Sequence, residues 1–240
     1  MEINPMNINS HINTPSHQTI ATYGSHPHRI RIVKLGGSLL ENSNMPFELH
    51  DWLARQPISQ NIIVVGGGRM ADEIRQWDQR FSLGNTPAHW LCIQVMSITA
   101  NALATALKTV PLFDSLEKAA QLTGQKTTCV LDVLKFLRHE EPHRPGIRIP
   151  HDWCVSSDSI AARIANVLSA DELVLLKSAA PPKDLTIASA AKHDYVDKFL
   201  PKLADDLGMV RCVNSLARGW PDWILKISTG SGQTISSAVS

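Results

Sequence analysis

Two runs of apolar residues in this chain stop abruptly at glycine. Ile30-Arg-Ile-Val-Lys-Leu35 runs into Gly36, Gly37 and Ser38, and Asn61-Ile-Ile-Val-Val65 runs into Gly66, Gly67 and Gly68. Runs this short, rich in β-branched residues and apolar without alternation, read as strands covered on both faces. Such strands belong to parallel sheets, whose connections cross above and below as helices. Glycine at the strand end lets the chain turn sharply and leaves backbone amides open to close approach. Ligands of open α/β sheets gather at that edge, outside the carboxyl ends of the strands.

The rest of the chain alternates in the same sense. Residues 47–56 put Leu49, Trp52 and Leu53 on one helical face, and residues 69–81 space Met70, Ile74, Trp77 and Phe81 as an amphipathic helix. A longer helix is expected over 87–108, with Pro87 near its start and a stripe of Leu91, Val95, Ile98, Ala102 and Ala106. Residues 127–133 read as a strand, 134–141 as a short helix, and the proline-rich 142–150 as a loop. A short strand at 152–156, a helix at 159–168 and a strand at 172–178 follow. A polar connection over 179–194 leads to a helix around 196–208 and strands at 209–214 and 223–228. This order argues for an α/β fold, a three-layer αβα sandwich on a mainly parallel sheet. Residues 1–28, rich in Asn, His, Ser, Thr and Pro, read as a disordered polar tail, and 29–240 as one domain.

Several function classes fall away on charge and cysteine usage. The formal net charge of +1 gives no electrostatic case for nucleic acid or an anionic membrane. Wholly apolar runs are only a few residues long, so no membrane span is expected. Cys92, Cys129, Cys154 and Cys212 lack the C-x-x-C or zinc-ligand spacings, and read as small buried hydrophobes. No metal site is read from the residues, and the absence of a secretory h-region points to the cytoplasm.

Chemistry has three candidate seats. In Lys34-Leu-Gly-Gly-Ser38 the glycine amides and a mobile cation suit an anion, though a plain strand-to-helix turn has the same look. The order is not that of a P-loop, in which the lysine follows the glycines. Gly66-Gly-Gly68 repeats the pattern with Arg69 able to fork onto a carboxylate or phosphate, and the G-x-G-x-x-G of a dinucleotide site is missing. Ser156-Ser-Asp-Ser159 precedes the stripe Ile160, Ile164, Val167; it is a good helix cap, and Asp158 is also placed to pair lysines or meet a phosphate-bound Mg²⁺.

In this order the three stretches resemble the amino acid kinase family, which includes acetylglutamate, aspartate, carbamate and uridylate kinases. That family opens with K-x-G-G-S, follows with G-G-G, and carries a T-S-D-S-like stretch at mid-chain; the resemblance spans roughly residues 30–215. It implies a transfer of the ATP γ-phosphoryl group, with Mg²⁺, to a small-molecule phosphate or carboxylate acceptor. By the same resemblance Lys34 stabilises the transferring group beside Gly36, Gly37 and Ser38, with Ser157 also at the phosphates. Gly66, Gly67, Gly68 and Arg69 cradle the acceptor, and Asp158 organises the lysines. Residues 151–165, 172–179 and 195–214 are similar to kinase-like proteins of organisms with methanofuran-linked one-carbon metabolism, whose archaeal acceptor is an aminomethylfuran phosphate. A homo-oligomer is implied too. The chain departs from the family after residue 177: the T-D-x-x-G loop is replaced by Ser178-Ala-Ala-Pro-Pro-Lys-Asp184, and no G-M-x-x-K segment follows. Lys177, or alternatively Lys183, is then the relocated cation. The rival reading is a non-catalytic relative that binds an anion or nucleotide as a scaffold or oxyanion store.

Overall fold

The computed structural model describes residues 29–122 and 127–227, so the polar N-terminal stretch lies outside the described residues. Seven strands form one sheet in the order β3-β4-β2-β1-β5-β6-β7. They are β1 (Ile30–Leu35), β2 (Gln60–Val65), β3 (Leu112–Phe113), β4 (Thr128–Leu131), β5 (Glu172–Lys177), β6 (Met209–Asn214) and β7 (Asp222–Leu225). All neighbours are parallel except β6 and β7. The helices are α1 (Met45–Arg55), α2 (Gly68–Phe81), α3 (Asn85–Leu107), α4 (Leu116–Ala120), α5 (Val133–Lys135), α6 (Ser157–Leu168), α7 (Ile187–Lys192) and α8 (Leu200–Leu203).

The period of two along each central strand sorts its side chains between two cores. Ile30 and Ile32, Ile62 and Val64, and Leu173 and Leu175 face the core closed by α4 to α8. Val33 and Leu35, Ile63 and Val65, and Val174 and Leu176 face the core closed by α1 and the second half of α3. Burial on both faces is what unbroken apolar strands require, and the result is the three-layer α/β sandwich. The same alternation puts Lys34 and Lys177 on the α6 side.

Several local expectations are corrected. Residues 152–156 form no strand; the Asp152 side chain accepts a hydrogen bond from Cys154 N (2.7 Å) and folds the segment into a turn. The connection over 179–194 contains α7, capped by Thr186, whose side chain accepts from Ser189 N. On α2 only Ile74 of the expected stripe is buried: the helix packs through Ala71 and Ile74 onto Ala88 and Val95 of α3, which leaves Met70, Trp77 and Phe81 exposed. On α3 the deep face is Ile93, Met96, Ala100 and Leu103, while Ile98 is 57% exposed and Ala102 and Ala106 lie outside. That helix has apolar residues nearly all round and no Asp, Glu, Lys or Arg, so periodicity alone does not find its inner face. Among the described residues it is also the one helix long and apolar enough to cross a membrane, where the short apolar runs predict none. It packs on β2, β4, α1 and α2. Cys129 and Cys212 are buried as expected, whereas Cys92 and Cys154 are half-buried; all four are free thiols.

Candidate active site

β1 lies between β2 on one side and β5 on the other, so its carboxyl end is a point where the connections diverge. The two glycine turns meet there. Gly36 N donates to Leu176 O (3.0 Å) and Gly66 N to Leu35 O (2.9 Å), which extends the sheet by one bond into each turn. Beyond these bonds the backbones touch: a Cβ on Gly37 would stand 2.0 Å from Gly68 N, and one on Gly68, whose φ is +57°, would stand 2.7 Å from Gly37 O. Only glycine fits at either position.

These turns floor a cavity of about 270 Å³. Gly37, Ser38, Gly66, Gly67, Gly68, Arg69 and Ser157 line it, as do the apolar Ile93, Met96 and Ile160. Gly36 is absent from this lining; it is buried against β5 instead. Arg69 stands at the rim, its side chain 81% exposed and paired with Glu41 (3.3 Å).

Asp158 sits in the first turn of α6, above the two lysines. Its Oδ1 is 2.9 Å from Lys34 Nζ and its Oδ2 accepts from Lys177 Nζ at 2.6 Å. Asp158 is 3% exposed and Lys34 5%. Burial pushes the Lys34 amine below its ordinary pKa; Asp158 opposes the shift and Lys177 adds to it. Burial alone would raise the Asp158 carboxyl, but the charges of Lys34 and Lys177 outweigh it and hold the pKa down at about 2. Two amines share one carboxylate. Both roles weighed for the serine-rich stretch occur together: Ser156 caps α6 by accepting from Asp158 N (3.3 Å), while the Asp158 side chain holds the lysines.

Sequence reasoning missed two groups that organise this cluster. Lys177 Nζ also donates to Tyr195 O (2.8 Å) and lies 5.3 Å from the Tyr195 ring centre. Asp197 accepts from Ser156 N and Oγ (2.8 Å each), from Ser159 N (2.9 Å) and from the Ser159 hydroxyl. It also accepts from Phe199 N (3.1 Å) and Leu200 N (3.0 Å). One carboxylate thus ties the start of α6 to the start of α8. An Asp three residues before a Leu-Pro helix start is a legible cap signal, but its reach to Ser156 is not. Lys183 is exposed and lines a separate open cavity of about 750 Å³ with Ala179 to Pro182, Asp184, Ser189 and His193 to Tyr195.

Three comparisons place this geometry. Solved structures with similar folds include the uridylate kinase of Archaeoglobus fulgidus, at 17% identity and a TM-score of 0.52, covering 75% of this chain and 88% of that one. The UMP kinase of Bacillus anthracis matches at 12% identity and a TM-score of 0.56, covering 81% and 90%. In sequence the chain is similar to the (5-(aminomethyl)furan-3-yl)methyl phosphate kinase of Methanocaldococcus jannaschii, with 23% identity over 146 residues. That match takes in 61% of this chain and 64% of the relative's length, under two thirds of it. The amino acid kinase family model matches residues 29–180, more than half of the chain, and so the chain belongs to the amino acid kinase family.

Proposed function

We propose that the chain is an ATP-dependent kinase that transfers the γ-phosphoryl group to an anionic oxygen of a small molecule. The supporting observation is the buried Lys34–Asp158–Lys177 cluster at the carboxyl ends of β1 and β5, beside a glycine-floored cavity. Phosphoryl transfer asks for positioning and for neutralisation of charge on the moving group more than for covalent help. Lys34 and Lys177 supply the positive charge, Asp158 fixes both amines, and the amides of Gly37, Gly67 and Gly68 supply donors that need no rearrangement.

The acceptor is assigned to the glycine-floored cavity, whose apolar wall of Ile93, Met96 and Ile160 suits a flat organic body behind the anionic group. A furan-type phosphate monoester, the compound named for the archaeal relative, fits that description and is the first acceptor to try; a carboxylate acceptor is the next. The nucleotide is assigned to the open cavity beyond Tyr195, reached past Lys177. Mg²⁺ would neutralise the nucleotide's own phosphates. Both Asp158 oxygens are taken by lysines, and among the described residues no group of three or more His, Cys, Asp or Glu is placed to hold the ion, so it would ride on ATP. A homo-oligomer is part of this reading, with the exposed apolar face of α2 and α3, including Phe81 (63% exposed) and Ile98, as its contact; sedimentation equilibrium checks it. The cytoplasm remains the proposed address, and 29–240 the proposed single domain.

The test is phosphorus NMR of the chain with Mg-ATP and the furan phosphate, or UMP or acetylglutamate, beside Lys34→Met. Transfer by the parent and loss of about a hundredfold or more in Lys34→Met, at unchanged Tm, is the expected result. Equal rates in both proteins would sink the assignment. Anion binding without transfer to any acceptor would put the storage or scaffold reading first.

A further inference from the structure

The glycine-floored cavity does not stand alone. A second cavity of about 340 Å³ opens on its other side, lined by Asp158, Lys177, Tyr195 and Asp197. Three residues line both cavities: Arg75, Trp153 and Ser156. Of the cations that border either one, Arg69 belongs to the first, Lys177 and Lys198 to the second, and Arg75 to both.

Arg75 is held at this shared wall by α2 and by the turn at 151–156. Its guanidinium carbon stands 5.4 Å from the centre of the Trp153 ring. Trp153 is in turn pinned to α2, because its Nε1 donates to Asp78 Oδ2 (2.8 Å). Asp72, Arg75 and Asp78 recur at steps of three and so share one helix face. The Arg75 charge is met by Asp72 one turn away, in a pair whose side chains are 48% and 63% exposed. Pairs as exposed as this are weak and yield to a stronger anion. A guanidinium is suited to the place, since it stacks flat on an indole while its N–H groups stay free to fork onto phosphate oxygens.

We propose that Arg75 is a third cation of the transfer site, leaving Asp72 for the phosphoryl group as that group passes between the two cavities. The inference rests on the kinase reading above and adds a cation to the Lys34 and Lys177 pair. In the step it serves, a lone pair on the acceptor oxygen forms the new P–O bond. The bond from phosphorus to the β–γ bridging oxygen breaks, and ADP leaves with that electron pair; an anionic acceptor has no proton to lose. Negative charge on the three equatorial oxygens then faces Arg75 and Lys177, which border the second cavity, with Lys34 behind Asp158.

Inorganic pyrophosphate, two linked phosphate groups with no organic body, is the probe. Calorimetric titration of the parent, Arg75→Gln and Asp72→Asn should show binding by the parent, weakening of about tenfold or more in Arg75→Gln, and tightening of a few-fold in Asp72→Asn, which frees the arginine. Arg75→Gln removes the guanidinium from an exposed side chain, so a merely structural role would leave that affinity in place and move Tm instead. Equal affinity in parent and Arg75→Gln, or no binding by the parent, overturns the proposal. With Mg-ATP and an accepted acceptor, Arg75→Gln should lower kcat about a hundredfold while moving the acceptor KM much less; an unchanged kcat overturns the proposal as well. A parent that transfers to no acceptor removes the kinase reading, while the pyrophosphate titration still decides separately whether Arg75 meets the anion.

Discussion

The wall formed by residues 36–38 and 66–68 is backbone laid against backbone, whereas the wall formed by Lys177 and residues 194–200 is held by side chains reaching to backbone groups. At the first wall the positions of the amides follow from the sheet itself, through Gly36 N to Leu176 O and Gly66 N to Leu35 O. At the second they depend on Asp197 and on the Tyr195 carbonyl. The difference teaches where tolerance lies. A backbone wall admits no added atom, while a side-chain wall admits changes of length and shape as long as each polar group keeps a partner. The family's usual motifs are kept at the first wall and replaced at the second, after Lys177.

The comparison breaks first, if it breaks, at Gly37. Gly37→Ala puts a methyl onto Gly68 N and should cost about 3 kcal/mol in urea unfolding together with all measurable transfer. A folded, active Gly37→Ala would show that this wall yields. Asp197→Asn probes the other wall: it leaves the fold in place but loses charge-assisted bonds to both helix starts, for about 2 kcal/mol. The same unfolding experiment reads it, and a loss matching that of Gly37→Ala would erase the contrast. The smallest effect is one of pH. Burial first, then His151, lowers the pKa of His89, at the back of the glycine-floored cavity, from 6.5 to about 4, with the Asp152 backbone and charge opposing. The folded chain therefore binds that proton more weakly than the unfolded chain, so stability is full above pH 6.5 and declines as the pH falls toward 4. About 1 kcal/mol of loss is expected by about pH 5.5. His89→Gln should flatten that part of the pH profile, and an unchanged slope would assign it to other groups.

What the sequence made legible follows the same division. β1, β2, β5 and β6 announce themselves as short runs with an apolar centre, the first three of them buried at nearly every position. The glycine turns are legible because close backbone approach leaves glycine no substitute. β3, a two-residue strand directly after Pro111, is too short to carry a pattern, and α7 hides inside a stretch that is polar on average. The faces of α2 and α3 are hard to phase because Ala71 and Ala88 do the packing while Trp77, Phe81 and Ile98 look outward. Lys34, Asp158 and Lys177 can be picked out individually. Their meeting depends on strand register and on the α6 crossover, which join residues more than a hundred positions apart. Arg75 and Asp197 look like ordinary surface charges until the tertiary fold brings their neighbours to them.

If phosphate binds at this cluster as proposed, the two-to-one arrangement of lysines around Asp158 ties that binding to the proton. Lys34 holds its proton less firmly than a free lysine does, because burial and the neighbouring Lys177 work against the charge. A phosphate set against that amine offers the second anion the cluster lacks and draws the pKa back up. Binding is then accompanied by proton uptake from the medium over the range in which Lys34 titrates. Affinity strengthens there as the solution becomes more acidic, and the heat of binding carries the ionisation enthalpy of whichever buffer gives up the proton.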